Sequence, residues 1–141
     1  MAATMLHLTI VTPERSLVDE QVDEIQLPGA EGYLGVLPGH APLFTDLKVG
    51  ELGFRKGSSW VWLSVAWGFA EVLPDQVRVL AETAERASEI DVDRAVRAKE
   101  RAERRLSQAG GDEVDYNRAL VALERAVIRI QVSRKAPQSP S

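Results

Sequence analysis

The sequence has no cysteine and only two histidines. Without cysteine there is neither a disulfide framework nor a thiolate metal site, and a reducing compartment is compatible with everything else in the chain. His7 and His40 share no HxH or HxxxH spacing with each other, whereas a metal site needs three or four converging ligands. Also missing are a GxSxG nucleophile elbow, a GxxxxGKS/T phosphate loop and a GxGxxG turn after a strand, so enzyme motifs of those kinds are excluded. No apolar run approaches bilayer length, and the first residues, MAATMLHLTIV, lack a basic leader region and a cleavage site. They read as a short disordered start followed by a strand. A soluble, cytoplasmic chain without direct membrane insertion is expected.

What is present divides into two unlike halves. At 141 residues there is room for one domain with a real core and a small appendage. Residues 1–90 hold 13 acidic and 6 basic side chains, a balance of −7, whereas residues 91–141 hold 8 acidic and 11 basic, a balance of +3. The acidic half argues against nucleic acid as its partner. The basic half suits an anionic partner, either a nucleotide or an acidic protein surface.

The acidic half is patterned as strands. Leu6, Leu8 and Ile10 alternate with His7, Thr9 and Val11 up to Pro13; Arg15 to Asp19 and Val22 to Leu27 make two more short runs, the second ended by Pro28 and Gly29. Trp60 to Ala66 alternates again, and a hairpin follows in which Gly68 to Leu73 and Val77 to Ala81 flank Pro74-Asp75. Between these runs lies Gly29 to Leu52, with five glycines, two prolines and His40, where no helix fits. Short strands with frequent turn signals predict an antiparallel sandwich or barrel.

The period changes after Ala84. From Asp91, a suitable N-cap, strong helix formers run to Gly110-Gly111; a second helix is predicted from about Asp115 to about Val132. Its seam is expected at Tyr116, Leu120, Leu123, Val127 and Ile130, facing Val92, Ala95, Ala102 and Leu106 of the first helix. A Gly-Gly connection predicts an antiparallel helical hairpin, held by an alanine-rich contact too small to fix it rigidly. The division is thus a β-sandwich over 1–88, a helical hairpin over 89–133 and a disordered tail over 134–141.

Three features invite chemistry. His40, in a Gly-Pro loop, reads as a structural or interface histidine in preference to an acid, base or ligand. Trp60, Trp62 and Trp67 could stack a sugar or base, or serve as core and interface aromatics. Arg94, Arg97, Lys99, Arg101, Arg104 and Arg105 crowd the first helix, and Arg125 and Arg129 lie one turn apart on the second. A solvated face would explain such a run, but arginine dominates it, which favours bidentate recognition of phosphate or carboxylate.

The order EGxLGVLPGHAPL at Glu31 to Leu43, followed by LKxGxL at Leu47 to Leu52, resembles the ε subunit of the bacterial F-type ATP synthase. So do GFxEV at Gly68 to Val72, AETAERAxxID at Ala81 to Asp91 and KERAERRL at Lys99 to Leu106, and the likeness extends from Leu6 to about Val132. Two positions depart from it: Trp67 stands where the family commonly has a glycine, and Tyr33 where a small or acidic residue is usual. The resemblance implies a sandwich of about ten short strands followed by the hairpin, in a rotor subunit that is not a catalyst. It implies γ and the c-ring as partners through Glu31, Tyr33, His40, Pro42 and Leu43, and the β (and α) subunits through the basic hairpin, which blocks ATP hydrolysis when extended. The place it implies is the cytoplasmic face of the cell membrane, as a peripheral part of the complex. No cofactor is required. Ile90 to Ala95 matches the I/L-D-x-x-R-A motif with which some members bind ATP as a regulatory ligand; carried over, the contacts are Glu85, Asp91, Arg94, Ala95, Arg101, Arg125 and Arg129. Two alternatives stay open on the residues alone, a free-standing sugar- or nucleotide-binding sandwich that uses the tryptophans, and a small barrel enzyme that uses His40.

Overall fold

The computed structural model describes residues 4–108 and 110–137. Eight strands come first: β1 (Leu6–Val11), β2 (Ser16–Val22), β3 (Glu24–Gly29), β4 (Gly32–Val36), β5 (Leu43–Asp46), β6 (Gly50–Lys56), β7 (Ser59–Val72) and β8 (Gln76–Arg86). A 3-10 turn, Ala87–Glu89, leads to α1 (Val92–Gln108) and α2 (Glu113–Ser133). The sheet order is β2-β1-β8-β7-β6-β3-β4, with β5 also paired to β7. All pairs are antiparallel except β1 with β8, which is parallel, so the sandwich is not wholly antiparallel as expected.

The count of eight, against an expected ten or so, has one cause. β7 and β8 are each long enough to run through both layers, so each replaces two short strands. On β7 the change of layer falls at Trp67, in the left-handed region at φ 60, and Gly68, at φ 116. No residue is inserted there, because Ala66 pairs with Thr83 and Gly68 with Ala81 in one continuous register. The opposite neighbour breaks instead: β5 and β6 pair with β7 in a shared register, separated by Leu47 to Val49, which face the kink. A Cβ on Gly68 would overlap the Leu80 carbonyl oxygen, so only glycine fits. Trp67 itself holds a left-handed backbone that costs residues other than glycine about 1–2 kcal/mol.

Pro28 and Gly29 do not end β3 as expected. Pro28 stays in register opposite Tyr33 of β4, and its carbonyl accepts from the Lys48 N–H at 2.9 Å in the segment that follows β5. Leu6, Leu8, Ile10, Ile25, Leu27, Leu52, Phe54, Leu63 and Val77 belong to one buried cluster shared by both layers.

α1 begins at its expected cap: the Asp91 carboxylate accepts from the Arg94 N–H at 3.1 Å. α2 is capped by Asp112 and not Asp115; the Asp112 Oδ1 accepts from Val114 N–H and Asp115 N–H at 3.0 and 3.2 Å. The helix seam is also narrower than expected. Ala95 and Ala102 are buried, as are Ala119 and Ala126, whereas Tyr116 and Val92 are 48% and 44% exposed. Methyl-sized side chains let the two backbones approach, which leaves the larger residues at the flanks. α2 lies against β6, β7 and the 3-10 turn, and α1 packs chiefly on α2. Arg134 to Pro137, assigned to the disordered tail from sequence, form a turn in which Ala136 packs against the cluster beside Trp62. Residues 138–141 of that tail, and 1–3 of the start, lie outside the described residues.

Candidate functional site

Between the hairpin and the β7–β8 face is an open cleft of about 600 Å³. β7 supplies Ser64 and Ala66 to its floor, and β8 supplies Thr83 and Glu85; α1 contributes Arg94 and Arg101, and α2 contributes Arg125 and Arg129. Helical periodicity explains the grouping, since residues seven or four apart share a face. Four arginines and one glutamate give the lining a formal charge of +3. Glu85 is engaged: its carboxylate accepts from Arg129 Nε at 2.7 Å and Nη2 at 3.3 Å. Arg125 Nη2 reaches Thr83 Oγ1 at 3.5 Å. Among the described residues, Arg94 and Arg101 have no carboxylate partner. A cleft of this charge and fork geometry suits a polyphosphate better than a single carboxylate.

The structure thus brings together Glu85, Arg94, Arg101, Arg125 and Arg129 of the seven residues marked from sequence. Asp91 is occupied as the α1 cap, and Ala95 is fully buried in the helix seam; neither lines the cleft.

Where sandwich and hairpin join, the Arg15 guanidinium donates to Glu89 Oε2 at 2.8 Å and Oε1 at 3.3 Å. That hydrogen bond holds the Glu89 carboxyl below the usual carboxylate range, against the opposing effect of its partial burial. The bond ties the β1–β2 turn to the 3-10 turn that carries the hairpin.

The interface residues marked from sequence sit on two segments. Glu31 is exposed in the turn between β3 and β4, and Tyr33, 54% exposed on β4, has a hydroxyl that accepts from the Glu51 N–H at 3.0 Å. His40 is half-buried, with Nδ1 2.7 Å from the Ala41 carbonyl oxygen; Pro42 and Leu43 are exposed just after it. The neighbouring Gly39 N–H donates to Pro74 O at 2.8 Å, which fastens this segment to the β7–β8 turn. Among the described residues, no three His, Asp or Glu side chains gather as a metal ion would require.

One surface went unmarked in the sequence. Phe44, Phe69 and Leu80 are 66%, 46% and 54% exposed on the outward face of β5, β7 and β8. Phe44 and Phe69 stack at 5.6 Å, Leu80 pairs with Phe69 across the ladder, and Val11 pairs with Leu80. Together they floor a shallow apolar groove. A sequence signal did exist: in β8 Val77, Val79 and Ala81 are the inward set, so a leucine at position 80 has to point out. Trp62, in contrast, is covered by the end of α2, and Trp60 stacks on it at 5.3 Å, so Trp62 offers no free platform.

The ATP synthase, Delta/Epsilon chain, beta-sandwich domain matches residues 5–87, and the ATP synthase, Delta/Epsilon chain, long alpha-helix domain matches residues 88–134. The chain belongs to the ATP synthase delta/epsilon chain family. An ATP synthase epsilon chain of Syntrophobacter fumaroxidans is 50% identical over 133 residues, 94% of this chain and 98% of that one. Its counterpart in Geobacter sulfurreducens is 49% identical over 134 residues, 95% of this chain and 97% of that one. Among solved structures, a chain of the mitochondrial ATP synthase of Euglena gracilis superposes with a TM-score of 0.80 at 26% identity, over 90% of this chain and 80% of that one. As an epsilon-family member the chain is a central-stalk subunit of the ATP synthase, a membrane-associated complex. No helix among the described residues is long and apolar enough to cross a membrane.

Proposed function

We propose that this epsilon-family subunit links γ to the c-ring through its sandwich and regulates ATP hydrolysis through its hairpin, with ATP as a regulatory ligand of the cleft. It is a non-catalytic, peripheral component on the cytoplasmic face of the membrane. The observation that carries the regulatory half is the convergence of Arg94 and Arg101 with Arg125 and Arg129. These pairs sit on different helices and the floor of the cleft lies on β7 and β8, so the +3 site needs the helices paired and the hairpin closed on the sheet. A ligand that binds only the closed form must stabilise it, and extension must expel the ligand. Extended, the same arginines are exposed to acidic surfaces of the β and α subunits.

The docking half rests on the exposed Phe44–Phe69 stack with Leu80, an apolar face on β5, β7 and β8 that γ would cover. The segments carrying Glu31, Tyr33, His40, Pro42 and Leu43 extend that contact toward the c-ring. Truncation after Ser88 in the reassembled synthase separates the two halves. The complex should still assemble, and its ATPase activity should rise; hydrolysis unchanged at every nucleotide concentration rejects the inhibitory role.

A further inference from the structure

We infer that the C-terminal end of α2 is a clasp that holds the hairpin down without nucleotide or partner, and that Lys135, Glu51 and Trp62 are its working parts. The inference rests on the hairpin opening proposed above and adds what holds it closed while the cleft is empty. Trp62 projects from the outward face of β7, and Ile128, Val132 and Ala136 pack around it, with Ala87 and Ile90 of the junction completing the cluster. Val132 is fully buried. Trp60 stacks on the same indole at an interplanar angle of 15°, which stiffens the platform.

Past the helix, the Lys135 N–H donates to Val132 O at 2.9 Å and the Ala136 N–H to Ser133 O at 3.2 Å. That turn sets Lys135 Nζ 3.9 Å from the Trp62 ring centroid and 2.7 Å from Glu51 Oε2. The Glu51 side chain is only 15% exposed, so the ion pair is sheltered from solvent on one side. Its backbone is fixed in turn by the Tyr33 hydroxyl. Elsewhere α2 meets β8 only through polar contacts at the open cleft, Arg129 with Glu85 and Arg125 with Thr83, so the clasp is the compact apolar footing of α2 on the sandwich. Hairpin release therefore requires Lys135 to leave both Trp62 and Glu51.

Hydrogen exchange on the full chain, free of nucleotide, tests this in wild type, Lys135→Gln, Glu51→Gln and the double variant. Amides of α2 from Arg125 to Ser133 should exchange about fivefold faster in each single variant, with little further gain in the double, while β1 and β2 keep wild-type exchange. Trp62→Phe, which keeps an aromatic face but shrinks it, should act in the same direction. Unchanged α2 exchange in both single variants overturns the clasp, as does a double variant that multiplies the two effects. Equal acceleration in β1 and β2 also overturns it, since the pair would then serve the sandwich and not the hairpin. Because no nucleotide is present, a failure of ATP to bind in the cleft leaves each of these outcomes unaltered.

Discussion

Replacing Arg94 should weaken ATP binding by the isolated chain far more than replacing Arg129, although both line the cleft. Arg94 has no carboxylate partner among the described residues, so a phosphate contact there is a net gain. A charge-assisted hydrogen bond is worth about 1.5–3 kcal/mol, so Arg94→Ala should lower affinity by about 10- to 150-fold. Arg129 starts from a different state. It is held side-on by Glu85, with the side chains 23% and 33% exposed, and a phosphate must share or break that pair. The net gain is the difference between two ion contacts, on the order of 1 kcal/mol or less, so Arg129→Ala should cost about fivefold at most. The measurement is titration calorimetry at one fixed, low ionic strength, because screening erodes both effects. With a lining charge of +3, affinity should also fall in the order ATP, ADP, AMP. Equal losses in the two variants, or a larger loss at Arg129, refute the accounting; no heat from wild type at millimolar ATP refutes the site.

Phe69→Glu should weaken co-purification with γ while the urea midpoint of the isolated subunit stays close to wild type, because Phe69 is 46% exposed; a large stability loss would make it a core residue. His40→Glu should behave likewise in the same two assays. Gly68→Ala, forced against the Leu80 carbonyl at φ 116, should cost about 3 kcal/mol or more by equilibrium unfolding, and a cost under about 1 kcal/mol would contradict the kink geometry. Glu89→Gln should reduce stability at neutral pH. Since Arg15 depresses the folded-state pKa of Glu89, the contribution is fully present above the ordinary glutamate range and is lost as pH falls through the folded value. The gap between wild type and variant in thermal midpoint should therefore close below about pH 4, and a gap that widens there has the wrong sign.

Alternation made β1 legible, and the arginine-rich face of α1 was plain in the sequence. The continuity of β7 was not. Its sandwich-core residues are Leu63 and Val65 before the kink but Ala70 and Val72 after it, a shift from odd to even positions. Two consecutive positive-φ residues, Trp67 and Gly68, accompany that shift within a continuous strand, whereas in sequence the same change of phase reads as one strand ending and another starting. Large apolar residues likewise drew the α2 seam toward Tyr116 and Leu120, while close backbone approach placed it on Ala119 and Ala126. The cleft was legible only through the Ile90 to Ala95 motif together with the later arginines, because no periodicity links β8 to two helices. The Phe44–Phe69–Leu80 face was hidden for a related reason: three strands far apart in sequence compose it.

The parallel pairing of β1 with β8 constrains the order in which the chain can fold. His7 lies opposite Gln76, so this contact must close roughly 70 residues of intervening chain, while β1–β2, β3–β4 and the helical hairpin are local. During synthesis β1 can pair with β2 early, but its other edge stays open until β8 has emerged, with Leu6, Leu8 and Ile10 still uncovered. Sandwich closure is therefore expected to be the slow step, in the roughly millisecond-to-second range of non-local β topologies. The helical hairpin, whose contacts are local, leaves the ribosome after the sandwich strands and meets a landing surface on β6 and β7.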